Sequence, residues 1–330
     1  MRESPQMVNP LRHLDRLQQR WRALAFPFAV VRKFGDDQAG SLAALVAYWG
    51  FFSLFPLLLV LVTILGFVLR GHSALQRSIL SSALTNFPVI GADLQRGTHT
   101  LSGHATLSLV VGVGLALWAG LGVVRAMENA MNTVWQVPFR RRPNFWISVG
   151  RAIVMLALLG VVTVLAAGVA VVGGASHVWW WAAVGVVLSL ALNFALFMLA
   201  FRILTTADVS WSDVRVGAAA GAVAWTALQA LGGYVVGHQL QHASATYGTF
   251  AIVVGLLGWM YIGAQLTLYA AELNVVKATR LWPRSLIQPP LTEADRRQLD
   301  SLAKVGERRK GQVVVTTLAP EDLQDERTAS

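Results

Sequence analysis

The chain has 330 residues, of which 55% are hydrophobic and only 13% charged, and its mean hydropathy is +0.54. Soluble domains carry about 25% charged residues, so a water-facing surface of this size cannot be covered and a soluble fold is excluded. Cysteine is absent, which removes disulfides, thiolate metal sites and cysteine nucleophiles.

In chain order, residues 1–40 form a basic segment. Leu11, Leu14, Leu17, Trp21, Leu24 and Phe28 recur at helical spacing among Arg12, Arg16, Arg20 and Arg22. This pattern predicts an amphipathic helix on the membrane surface. No secretory signal pattern precedes the first apolar run, so the first span is expected to act as its own membrane signal. Six apolar runs follow, at 41–69, 105–124, 146–172, 179–201, 216–236 and 248–276. Each is long enough for a spanning helix of about 20 residues, and none alternates as barrel strands do. The expected fold is an all-α membrane protein, a bundle of six transmembrane helices. Between runs one and two, Ser73–Phe87 predicts an external capping helix. After run two, 125–137 predicts a further surface helix ending in the basic turn at Arg140, Arg141, Arg142 and Pro143. Residues 281–330 shift towards polar composition and are expected to be a largely disordered tail.

Orientation follows from the basic residues. Of the 27 lysines and arginines, 24 fall in 1–40, 125–151, 202–215 and 277–330, all on one side of a six-span topology. By the positive-inside rule that side is the cytoplasm, so both termini are expected there, in the cytoplasmic (inner) membrane of a bacterium. The same sorting accounts for the net charge of +10 through anionic lipid head groups, without a nucleic-acid partner. For protein partners, a second copy and another envelope protein both stay open.

Three stretches carry a family resemblance. The first is AALVAYWGFFSLFPLLLVLVTILG in span one, with Ser53 and Pro56. The second is LWAGLGVVRAMENAMNTVWQVPFRRRP, with Asn132 and Trp135. The third is YGTFAIVVGLLGWMYIGAQLTLYAAELN, with Tyr247, Gly248, Trp259 and Asn274. Together, in this order, they resemble the YihY/BrkB family of bacterial inner-membrane proteins, once labelled ribonuclease BN. The resemblance covers about residues 35–280 and implies a six-helix bundle with both termini inside. It implies membership and no particular biochemical activity. Two departures are Ala270, where relatives have glycine, and the connection before span five, which lacks a proline common among them.

Candidate site residues fall into two sets. Glu272 is the acid to weigh within the apolar runs, and Arg125 and Arg151 lie at the same depth by topology. An ionisable group near a span needs a partner or water, so these three predict either a structural ion pair or a charge gate. The uncharged set is Tyr48, Ser53, Asn193, Gln229, Tyr261 and Gln265, with Pro56 expected to bend span one. Such side chains either hydrogen-bond between helices or, facing a common interior, line a polar pathway. His238 and His242 are spaced i, i+4, but two ligands make a weak metal signal, and no metal or cofactor is expected.

Paired catalytic carboxylates, nucleophile motifs and phosphate-binding glycine loops are missing, so an enzyme, and a ribonuclease in particular, is disfavoured. Two readings stand. One is passive transport or flipping of a lipid or other amphiphilic envelope component. The other is a structural or interaction protein that organises the envelope.

Overall fold

The computed structural model describes residues 17–68, 105–175, 179–239 and 248–320, together with Arg12 and Asp15. Among them the fold is helical, without strands: α1 (Arg22–Asp36), α2 (Ala39–Val68), α3 (Ala105–Val134), α4 (Phe145–Ala175), α5 (Trp179–Leu204), α6 (Trp211–Gln239), α7 (Gly248–Thr279) and α8 (Glu293–Val305). Helices α2 to α7 are each long and apolar enough to cross a membrane. A continuous helix satisfies its own backbone hydrogen bonds, which is what makes such runs stable in hydrocarbon. Together α2 to α7 form the expected all-α membrane bundle. The predicted capping helix at 73–87 lies outside the described residues.

The described residues divide into two compact units. The first draws on 1–43, 127–228 and 265–330, and the second on 44–126 and 229–264. In the second unit, α2 runs unbroken through Pro56, and Ser53 Oγ donates to the Gly50 carbonyl at 2.7 Å. A Cβ on Gly122 of α3 would overlap the Trp49 indole of α2, so the two helices approach closely only because position 122 is glycine. Gly232 of α6 receives the Trp259 indole of α7 in the same way.

In the first unit, the inner face of α1 (Ala29 and Val30) packs with Val276 and Leu281, flanked by Phe26, Tyr269, Leu273 and Trp282. Phe34 stacks on Tyr269 with ring centroids 3.9 Å apart. Two helix ends are built alike. Gln136 after α3 and Arg280 after α7 adopt left-handed backbone angles, φ 51° and 54°. Val137 N–H then donates to the Asn132 carbonyl and Leu281 N–H to the Val276 carbonyl. These are Schellman ends, and they satisfy carbonyls that a helix terminus leaves open.

Two expectations change here. The segment after span two is no separate surface helix. Residues 125–134 continue α3 without interruption, and Glu128 and Asn132 within them are buried against protein partners, as described below. The tail is not wholly without structure. Thr292 caps α8 in a reciprocal capping box with Asp295. Buried Asp295 also accepts from Arg284 Nε at 2.7 Å, Ser285 N–H at 3.0 Å and Ser285 Oγ at 2.9 Å. Arg284 reaches Asp36 of α1 at 2.9 Å, Leu286 N–H donates to Asp15, and Arg140 pairs with Glu307 at 2.8 Å. The segment 281–307 is therefore fastened to the N-terminal helix and to the turn after α3.

Burial disfavours the Asp295 carboxylate, but the Ser285 N–H, the Thr292 hydroxyl and Arg284 outweigh it and hold its pKa below the ordinary aspartate value. A depressed carboxylate contributes stability above its unfolded pKa of about 4, which is lost as pH falls through the lower folded value. Backbone amides of 281–307 are expected to exchange on the order of tenfold faster below that range, after correction for intrinsic rates. Asp295→Asn should exchange fast already at neutral pH. Hydrogen exchange that is equally slow in both proteins at every pH would contradict this role.

Candidate functional site

The charged and polar groups of the first unit converge at helix ends. Lys33 sits in the last turn of α1, on the face that carries Ala25 and Ala29, and its side chain is fully buried. Its ammonium donates to Asp37 one turn on and to the Val134 carbonyl at the end of α3, at 2.7 Å. It also forms an ion pair with Glu272 Oε2 of α7 at 3.0 Å, whose alignment falls short of a hydrogen bond. Three elements thus share one cation. The Val134 carbonyl is one of those left open at a helix C-terminus, where positive charge is favoured. Asp37 is steadied from its other oxygen by Gln136 Nε2 at 3.4 Å.

Burial alone would discharge the Lys33 ammonium, yet Glu272 and Asp37 on either side outweigh it, and its pKa stands above the ordinary lysine range. A raised lysine contributes stability that is complete below its unfolded pKa and is lost only as pH rises through the folded one. The Lys33 ammonium therefore keeps its charge throughout the neutral range.

A second network lies along α3 and α4. Glu128 accepts from Ser148 and from Arg151 at 3.1 Å, and Arg151 also donates to Thr206 Oγ1 at 3.0 Å. Asn132, one turn beyond Glu128 on the same buried face, accepts from the Thr206 backbone N–H at 2.9 Å. Asn274 of α7 accepts from the Gly217 N–H of α6 at 2.6 Å. A Cβ on Gly217 would collide with the Ala270 carbonyl and the Asn274 carboxamide. Asn132 and Asn274, both singled out by the family resemblance, therefore work as connectors between elements. Trp135 is half-buried, with an indole N–H that has no acceptor among the described residues.

The expected charge set is re-partnered. Glu272 meets Lys33, and Arg151 meets Glu128; Arg125 is exposed on α3. Lys33 and Glu128 went unrecognised in the sequence reading. The signal for Lys33 was a charge at i+4 and i+8 from two small apolar residues, Ala29 and Ala25, and for Glu128 it was the i, i+4 spacing to Asn132. The uncharged set does not gather into one site. Asn193 donates to Thr226 Oγ1 at 3.2 Å between α5 and α6, and Ser53 is satisfied by its own helix. Tyr48 and Gln229 are exposed, while Tyr261 and Gln265 are half-buried. Tyr247 and His242 lie outside the described residues, and Gly248 opens α7. Among the described residues no group of three histidine, aspartate or glutamate side chains could hold a metal ion.

Lys33→Met leaves two buried carboxylates without their cation and is expected to cost about 3–5 kcal/mol. Glu272→Gln keeps the Asp37 and Val134 contacts and should cost less, roughly 1–3 kcal/mol. Thermal unfolding of the detergent-purified variants measures both, and wild-type stability in Lys33→Met would count against the tie. Gly217→Ala should lower stability by about 1–3 kcal/mol through overpacking. Gly160→Ala, whose added methyl meets open space, should not destabilise; equal effects at 217 and 160 would rule out the close contact.

The profile of the family described as Virulence factor BrkB matches residues 30–292. Inner membrane protein YhjD of Escherichia coli is 24% identical over 274 residues, covering 77% of this chain and 81% of its own. A UPF0761 membrane protein of Pseudomonas paraeruginosa is 25% identical, covering 81% of this chain and 66% of its own length. Another UPF0761 membrane protein, from Azotobacter vinelandii, is 27% identical over 77% of this chain and 63% of its own. The chain thus spans just under two thirds of these two longer relatives. No solved structure matches. Lys33, Glu128, Asn132, Glu272 and Asn274 all fall inside the matched residues, and the chain, with six helices among the described residues long and apolar enough to span, belongs to the BrkB family of multi-pass membrane proteins.

Proposed function

We propose that this protein lets a lipid or other amphiphilic envelope component move passively along its spanning helices, with both termini on the cytoplasmic side of the inner membrane. The observation that supports the reading is the exposure of polar side chains on the spans. Tyr48 of α2 and Gln229 of α6 are exposed, and Tyr261 of α7 is half-buried, all in the second unit. A polar group on a spanning segment ordinarily turns inward and finds a partner, as Asn193 does with Thr226. Accessible ones suit a ligand with its own polar part, such as a phospholipid or a glycolipid. The cytoplasmic placement of the termini is supported by the 24 of 27 basic residues on one side. The sequence offers no nucleotide-binding motif, so movement down a gradient is the simplest mode.

A structural role in the envelope is the second reading, favoured by the tail. Its segment 281–307 is fastened to α1 and to the turn after α3, and beyond it Val313 and Val315 are exposed outside any helix.

The test is reconstitution into liposomes with fluorescent lipids of several head-group classes, following transfer to the other leaflet. Transfer above protein-free vesicles is expected, slowed several-fold by Gln229→Leu at unchanged thermal stability. No transfer for any class would overturn transport and leave the structural reading.

A further inference from the structure

Helix α1 is apolar on two sides. Its inner side is covered by α7 and the 281–282 turn through Ala29, Val30, Val276 and Leu281. Its outer side is open. Leu24 is 52% and Val31 58% exposed, with Phe28 half-exposed between them at i+4 and i+7 spacing. Just before the helix, Leu17 is 45% and Trp21 63% exposed. A contiguous apolar band of this kind on a soluble surface would mark an interaction site.

Three observations identify its occupant. Only Asp37 and Gln38 separate α1 from the first spanning helix, and two residues reach at most about 7 Å, so the C-terminal end of the band, at Val31, is held close to the membrane boundary. Exposed Arg20 and Arg22 and half-exposed Arg32 flank it, which gives it positive charge beside apolar surface. Within the same unit, Phe145 and Trp146 open α4 and Trp211 opens α6, all exposed, as aromatic residues are at head-group level. We infer that the outer face of α1, with Leu17 and Trp21, is an interfacial surface that beds into the bilayer and takes anionic phospholipid head groups on Arg20 and Arg22. Apolar residues enter the boundary between head groups and acyl chains, while the guanidinium groups meet phosphate. Each arginine near an anionic surface favours that contact by about fivefold. The inference is independent of whether the protein moves lipid.

The test uses the full chain, which has no native cysteine. Leu24→Cys and Val31→Cys are each spin-labelled in vesicles of phosphatidylcholine with phosphatidylglycerol. Accessibility to oxygen is compared with accessibility to an aqueous nickel chelate. Val223→Cys, on an exposed position of α6, gives the lipid-facing reference, and Lys310→Cys, exposed in the tail, gives the aqueous one. Labels at 24 and 31 are expected to match the lipid reference, with an oxygen-to-nickel ratio at least several-fold above position 310. Excess of spin-labelled phosphatidylglycerol over phosphatidylcholine around the protein should fall about fivefold per arginine on Arg20→Gln and Arg22→Gln. Ratios at 24 and 31 equal to that at 310 would overturn the membrane contact. Protection from both reagents would also overturn it, in favour of a second copy or another protein. Unchanged lipid preference in the arginine variants would overturn the head-group part.

Discussion

An ammonium group cut off from water must find its acceptors inside the protein, and Lys33 finds them on three separate elements. Asp37 closes the turn that leads from α1 into the first span, Val134 ends α3, and Glu272 lies near the end of α7. Removing a charge from water costs several kcal/mol, recovered only when the partners are well placed. One side chain therefore ties α1 to the ends of two spanning helices. The Schellman ends at Gln136 and Arg280 serve the same purpose at the backbone. They stop α3 and α7 where the Val134 carbonyl and the Leu281 side chain are needed.

The rest of the first unit repeats this logic with weaker groups. Glu128, Asn132 and Asn274 each bridge from a spanning helix to a loop or to a neighbouring helix. Apolar packing between spanning helices is no better than packing against lipid tails, so hydrogen bonds and small residues must supply specificity. Gly217 shows both at once: its bare backbone lets α7 approach, and its N–H holds Asn274.

That six apolar runs are helices long enough to span was legible, because a long apolar run has one stable form in a membrane. What followed them was less so. Residues 125–137 read as a separate surface helix since Glu128 and Asn132 break the hydropathy pattern. They are buried by Ser148, Arg151 and Thr206, all distant in sequence. The tail read as largely disordered from its polar composition, although the Thr292–Asp295 spacing carried a capping signal. Its ordering depends on Arg284, whose partner Asp36 lies nearly the whole chain away. Glu272 stood out as the acid within a span, but depth matching pointed to Arg125 and Arg151, whereas its cation lies outside the spans on α1. Local pattern finds an ionisable residue; only the fold finds its partner.

Membership of the BrkB family rests on the profile match over residues 30–292 and the membrane bundle on six long apolar helices among the described residues, and lipid movement is the proposal built on them. The structural claim underneath is that Lys33 and Glu272 act as one unit. A double-mutant cycle, comparing Lys33→Met, Glu272→Leu and the double variant by equilibrium unfolding in detergent, tests this most directly. The account predicts a coupling of about 1–3 kcal/mol, with the double variant less destabilised than the two single effects added together. Additive effects, with coupling within about 0.5 kcal/mol of zero, would contradict it.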